Sequence, residues 1–124
     1  MMRRSYHAFA LTAALALSWG TGPAVAEEFV PVESQAEFVG LIDGRALTRF
    51  GISLSVRPDG AIEGSAFGMA VSGAWNWQGQ YFCRDLRYGN TALEPNCQAV
   101  LVKGETLRFI ADRGKGDSAD LRLR

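Results

Sequence analysis

From Ile52 onward, apolar residues recur at every second position, and turn-forming residues interrupt the runs at short intervals. A strand sends alternate side chains to one face, so this period demands a sheet with a buried side and leaves little room for helix. Ile52, Leu54 and Val56 alternate with Ser53, Ser55 and Arg57, and Pro58-Asp59-Gly60 ends the run with residues suited to a three-residue hairpin loop. That loop predicts Val56 opposite Ile62, Leu54 opposite Gly64 and Ile52 opposite Ala66. A two-residue turn at Gly68-Met69 then predicts Ala66 opposite Val71, Gly64 opposite Gly73 and Ile62 opposite Trp75. A further tight turn at Gln78-Gly79 predicts Trp75 opposite Phe82, Gly73 opposite Arg84 and Val71 opposite Leu86. One inward row then reads Leu54, Gly64, Gly73, Arg84.

The segment Tyr88 to Asn96 carries Gly89, Asn90 and Pro95 with little apolar content and reads as a loop. Strands resume near Gln98 to Val102, Thr106 to Ala111 and Ala119 to Leu123, with Val100, Val102, Leu107 and Phe109 on one face. Lys103-Gly104-Glu105 and the polar run Asp112 to Asp117 separate them. Ahead of the sheet, Ser34-Gln35-Ala36-Glu37 has the spacing of a capping box, and Phe38, Leu41 and Ile42 follow at helical spacing. A short helix over Gln35 to Ile42, ended by Asp43-Gly44, is expected. The predicted fold is mainly β: one N-terminal helix followed by a seven- or eight-stranded antiparallel meander curled into a small barrel or half-barrel of lipocalin-like architecture.

The first residues have the three parts of a secretory signal: Arg3 and Arg4, an apolar run from about Ala8 to Trp19, then Ala24-Val25-Ala26. The run falls short of the ~20 residues a bilayer span requires, so cleavage between Ala26 and Glu27 is expected, with no membrane anchor left afterwards. Residues 1–26 form the signal and 27–124 a single domain, placed in the periplasm or secreted. In an oxidising compartment a lone cysteine pair closes, so Cys83 and Cys97 are expected to form a disulfide across a loop of about fifteen residues, worth roughly 3 kcal/mol. In the predicted register both cysteines face outward.

The chemistry is bounded mostly by what is missing. Thirteen basic and thirteen acidic residues balance, and neither forms a block of the kind nucleic acid or anionic lipid demands. A monomer without nucleic-acid partners is expected. The only histidine, His7, belongs to the leader. Without it, and with both cysteines bridged, the domain has no ligands for a usual zinc, copper or haem site and no histidine-activated nucleophile. No Gly-x-Gly-x-x-Gly and no Walker loop occurs, so no cofactor is expected. Glu63, Asp85, Glu94 and Asp112 are the acids available for sugar cleavage, and their spacing selects no pair.

The densest segment runs from Gly73 to Asp85. Trp75 and Trp77 share a strand face, and with Tyr81, Phe82 and Arg84 they form the candidate ligand-binding set. Two readings stand for the tryptophans: they line an apolar ligand cavity, or they cap one end of a small barrel. Arg84 lies on the face of Phe82 and Leu86, where a guanidinium requires a partner. That partner is either an internal carboxylate such as Asp85 or the anionic head of a ligand.

The order of a leading helix, Asp43-Gly44-Arg45-Ala46-Leu47-Thr48, Pro58-Asp59-Gly60-Ala61-Ile62-Glu63-Gly64, Gly73-Ala74-Trp75-Asn76-Trp77 and Tyr81-Phe82-Cys83-Arg84 resembles that of small exported bacterial envelope proteins of unassigned function. Some similar chains carry the name dihydrodipicolinate reductase, which implies a nicotinamide nucleotide and a catalytic histidine. Lipocalin-like barrels and barrel-type periplasmic inhibitors are similar in architecture alone. The sequence is therefore read as a non-enzymatic envelope module binding a small apolar or anionic ligand or an envelope protein. An enzyme, either a carboxylate-based hydrolase or that reductase, and an inhibitory or structural envelope protein are the alternatives.

Overall fold

A computed structural model describes residues 28–124. The leader and the Ala26–Glu27 cleavage point lie outside the described residues. In chain order the elements are β1 (Val30–Val32), α1 (Gln35–Ile42), β2 (Ala46–Arg49), β3 (Ile52–Val56), β4 (Ala61–Ala66), β5 (Met69–Gln78), β6 (Tyr81–Tyr88), β7 (Thr91–Ala92), β8 (Asn96–Lys103), β9 (Thr106–Ile110), α2 (Ala111–Gly114) and β10 (Ser118–Leu123). Strands β8, β9, β10, β2, β3, β4, β5 and β6 pair in that order, and β6 returns to β8, closing an eight-stranded antiparallel barrel. Closure removes the sheet edges. Two short strands ride outside the ring: β1 on β8 and β7 on β6.

The expected helix forms over the predicted residues. Ser34 Oγ accepts from the Glu37 N–H at 3.2 Å, satisfying a free donor of the first turn, and the Glu37 carboxylate reaches back to accept from the Glu33 N–H, one residue before the cap. The β3–β4 register also matches, with Val56 opposite Ile62, Leu54 opposite Gly64 and Ile52 opposite Ala66. Asp59 Oδ1 accepts from the Ala61 N–H at 3.0 Å inside that loop.

The next two hairpins correct the predicted register by two residues each. The β4–β5 turn is Phe67-Gly68, with both residues at positive φ, so Ala66 faces Met69, Gly64 faces Val71 and Ile62 faces Gly73. A turn with two left-handed residues matches the twist of its strands, and this preference outweighs the cost of placing phenylalanine there. The β5–β6 turn is Gly79-Gln80, which sets Trp77 opposite Phe82, Trp75 opposite Arg84 and Gly73 opposite Leu86. A shift of two preserves which face each side chain occupies. It does dissolve the predicted row: Arg84 lies beside Trp75 and Asn96, not beside Gly73 and Gly64.

Those two glycines have another task. A Cβ on Gly64 would collide with the Ser53 carbonyl, and one on Gly73 with the Asp85 carbonyl, so each permits a close strand approach where the sheet coils. Leu54 and Leu86 cover them. Three further expectations change. Tyr88 to Asn96 is not all loop, because β6 runs to Tyr88 and turns back as β7. Strands β1 and β2 join the sheet without a predicted counterpart. The polar run Asp112 to Asp117 begins as a tight left-handed turn, with Asp112 at φ 55° and Arg113 at φ 56°.

The barrel has two unlike ends. At one, α1 crosses the opening and inserts Phe38 and Ile42, both fully buried. Phe38 stacks against Trp75, Trp77, Phe82 and Phe109 at centroid distances of 5.2, 5.2, 5.1 and 6.4 Å. The Trp75 indole donates to the Arg57 carbonyl at 2.8 Å. The Trp77 indole nitrogen is buried without a partner among the described residues. At the other end lie the hairpin tips at Phe50-Gly51, Phe67-Gly68 and Gly89-Asn90, and α2, beyond β9, buries no side chain, so among the described residues no helix closes this end.

Candidate functional site

The alternation of β6 directs Phe82, Arg84 and Leu86 inward, and β2, β3, β4, β9 and β10 contribute Leu47, Leu54, Val56, Ile62, Phe109 and Leu121 to the same space. The result is an apolar cavity of about 260 Å³ inside the barrel. Its polar wall is small: Arg84, Gln98, Asp117 and Ser118. Asp117 and Ser118 are exposed, at the start of β10, and mark the side on which the cavity meets solvent. An apolar chamber with a few polar groups in its wall is the usual form of a small-molecule site, and this one falls just below the usual size range.

Arg84 is half-buried, and its Nη1 donates to the Glu94 carbonyl at 2.9 Å. Among the described residues it makes no ion pair; the bridges present are Arg45–Glu105, Arg57–Asp59, Arg57–Glu63 and Arg108–Asp120. Burial pulls the guanidinium below its ordinary pKa, and the charge of adjacent Asp85 opposes that shift. Arginine does not deprotonate in a protein, so the physical content is a partly desolvated cation whose charge is met by one carbonyl dipole. Asp85 points to the outer face, where its Oδ1 accepts from the Ala74 N–H at 3.2 Å.

The five candidate ligand-binding residues separate. Phe82 and Arg84 line the cavity. Trp75 and Trp77 pack on Phe38 at the helix-covered end. Tyr81 faces outward, with the Arg113 guanidinium 5.7 Å from its ring centre. Sequence reasoning missed Asp117, Ser118 and Gln98, because a polar run after a β-strand carries no sign that its last residues border a cavity. The acids are dispersed as well: Glu63 pairs with Arg57, and Asp112 accepts from the Asn96 amide at 2.8 Å. A sugar-cleaving site requires two facing carboxylates, and the cavity wall carries one, Asp117.

Cys83 and Cys97 stand directly opposite one another on β6 and β8 and are joined as a disulfide, with Cys83 buried. The bridge lies on the outer face of the strand pair that carries Arg84 and Asn96, so it fixes the wall from which Arg84 projects. Among the described residues no helix is long and apolar enough to cross a membrane. Comparison with family models, with curated proteins and with solved structures finds no match.

Proposed function

We propose that this protein is a binding module of the bacterial envelope that holds a small amphipathic anion, its apolar part inside the barrel and its anionic head on Arg84. The observation that carries this reading is a half-buried guanidinium in the wall of an apolar cavity, with no ion pair of its own among the described residues. A carboxylate accepts two parallel hydrogen bonds from a guanidinium, and that geometry rewards a planar anion over a neutral group. At ~30 Å³ per water-sized group the cavity holds roughly nine such groups, which matches a carboxylate with a medium-length aliphatic tail. Gln98 and Ser118 add neutral hydrogen-bonding groups near the head. Asp117 repels it and so tunes its position and affinity.

Export to the periplasm is part of the same reading and is supported by the leader and the disulfide. Native mass spectrometry of the protein purified from the periplasm tests the function. A retained acidic molecule of medium chain length, lost from Arg84→Leu while the fold stays intact, supports the reading. A bare mass together with failure to take up any medium-chain carboxylate sinks it.

A further inference from the structure

We propose that the hairpin tips at the open end dock the protein on an anionic lipid surface. Three tips lie side by side there: Arg49-Phe50-Gly51, Ala66-Phe67-Gly68-Met69 and Arg87-Tyr88-Gly89-Asn90. The Phe67 N–H donates to the Gly51 carbonyl at 2.7 Å, and the Gly89 N–H to the Ala70 carbonyl at 2.8 Å. Phe50 is 92 % exposed, Phe67 64 % and Met69 45 %. Together they form an apolar crest, since the Phe67 ring lies over Gly51 and the Met69 methyl over Gly89. Phe67 holds φ at 50°, a conformation easy for glycine or asparagine and strained for a bulky side chain. Folding alone would favour the small residue; an aromatic ring stands there instead.

Charge identifies the partner. These tips carry two arginines and no acid. Arg49 makes no ion pair among the described residues, and Arg87 donates to the Asn90 carbonyl at 3.2 Å. Asp120, near Arg49, is already held by Arg108 at 2.7 and 3.0 Å. The β9–β10 loop carries Arg113 and Lys115 with Asp112 and Asp117, equal in number, so it adds no net charge to the arginines of the tips. Apolar tips flanked by arginines suit the boundary where acyl chains meet anionic headgroups. A protein partner fits less well. Three side chains, at most roughly 250 Å² each, stay below the ~800 Å² per partner of a specific interface, and a two-fold contact with a second copy would face arginine toward arginine. The balanced charge of the whole chain argues against an anionic surface only until the fold sorts the residues.

Flotation of the purified protein with vesicles tests this, using phosphatidylcholine alone and phosphatidylcholine mixed with phosphatidylglycerol. The protein is expected to float with the mixed vesicles. Phe50→Ser combined with Phe67→Asn should lower partitioning about tenfold or more, from the loss of buried ring area, while its melting temperature stays at or above that of wild type. Arg49→Gln with Arg87→Gln should abolish the preference for phosphatidylglycerol. Wild-type protein that does not float, or variants that float as it does, overturns the proposal. So does a concentration-dependent dimer abolished by the Phe50 and Phe67 changes, which would assign the tips to a second copy. Arg84→Leu should float normally, so vesicle binding and cavity occupancy succeed or fail separately.

Discussion

The two ends of this barrel are built from the same strands and end in opposite states. Where α1 crosses, Phe38 fills the space between Trp75, Trp77, Phe82 and Phe109, and the loops carry charged residues in pairs such as Arg45–Glu105 and Arg57–Asp59. Beside that cluster the barrel keeps an apolar cavity, the tips at the far end present Phe50 and Phe67, and Arg49, Arg84 and Arg87 stand without carboxylate partners among the described residues. The difference teaches that tight packing and the groups of both proposals are kept apart. A filled, paired end anchors the fold, so an unfilled, unpaired one can be tolerated for binding.

Truncating the anchor should have the largest effect. Phe38→Ala removes a fully buried ring from an aromatic cluster and should cost about 3–5 kcal/mol, measured by denaturant unfolding. Leu86→Ala on the cavity wall should cost less than half as much, because the lost atoms already border empty space. Equal costs would break the distinction between the ends. The disulfide is next. Cys83→Ala with Cys97→Ala frees a seam between β6 and β8 and should lower stability by roughly 3 kcal/mol, reproduced by reducing the wild type.

Within the closed end the two tryptophans should separate. Trp75→Phe removes one of the two donors to the Arg57 carbonyl, which keeps the Gly60 N–H, and should cost about 1 kcal/mol, whereas Trp77→Phe removes a buried N–H that has no partner among the described residues and should be neutral or stabilising. The smallest effect concerns Asp120, whose pKa the bidentate Arg108 contact holds below the usual carboxylate value. A depressed folded pKa gives stability that is present above the ordinary Asp pKa of ~3.9 and lost as pH falls through the folded value. Asp120→Asn should therefore lower the melting temperature slightly at neutral pH and make no difference in strong acid.

Features set by adjacent residues were legible in the sequence and those set by register and closure were not, at both ends: the β5–β6 turn beside the helix was displaced as the β4–β5 turn was. The capping box of α1 and the Pro58-Asp59-Gly60 loop are local chemistry, decided by adjacent residues, and both formed as read. The Phe67-Gly68 turn depends on strand twist acting against a side-chain preference, so local rules placed it one residue away and the register two. The inward direction of Arg84 survived because a shift of two keeps the face. Its neighbours did not survive, because they depend on register. Cavities and surface charge patches arise only from closure: Asp117 sits 33 positions beyond Arg84, and the arginines of the tips come from separate hairpins.

Titration calorimetry tests the central claim most directly. A saturated carboxylate of about nine carbons should bind wild-type protein and bind Arg84→Leu roughly tenfold to a hundredfold more weakly, and the alcohol of equal length should bind both proteins alike. Asp117→Asn should strengthen carboxylate binding. If the carboxylate and the alcohol bind wild-type protein equally, or Arg84→Leu retains full affinity while folded, the claim that Arg84 anchors an anionic head in this cavity is contradicted.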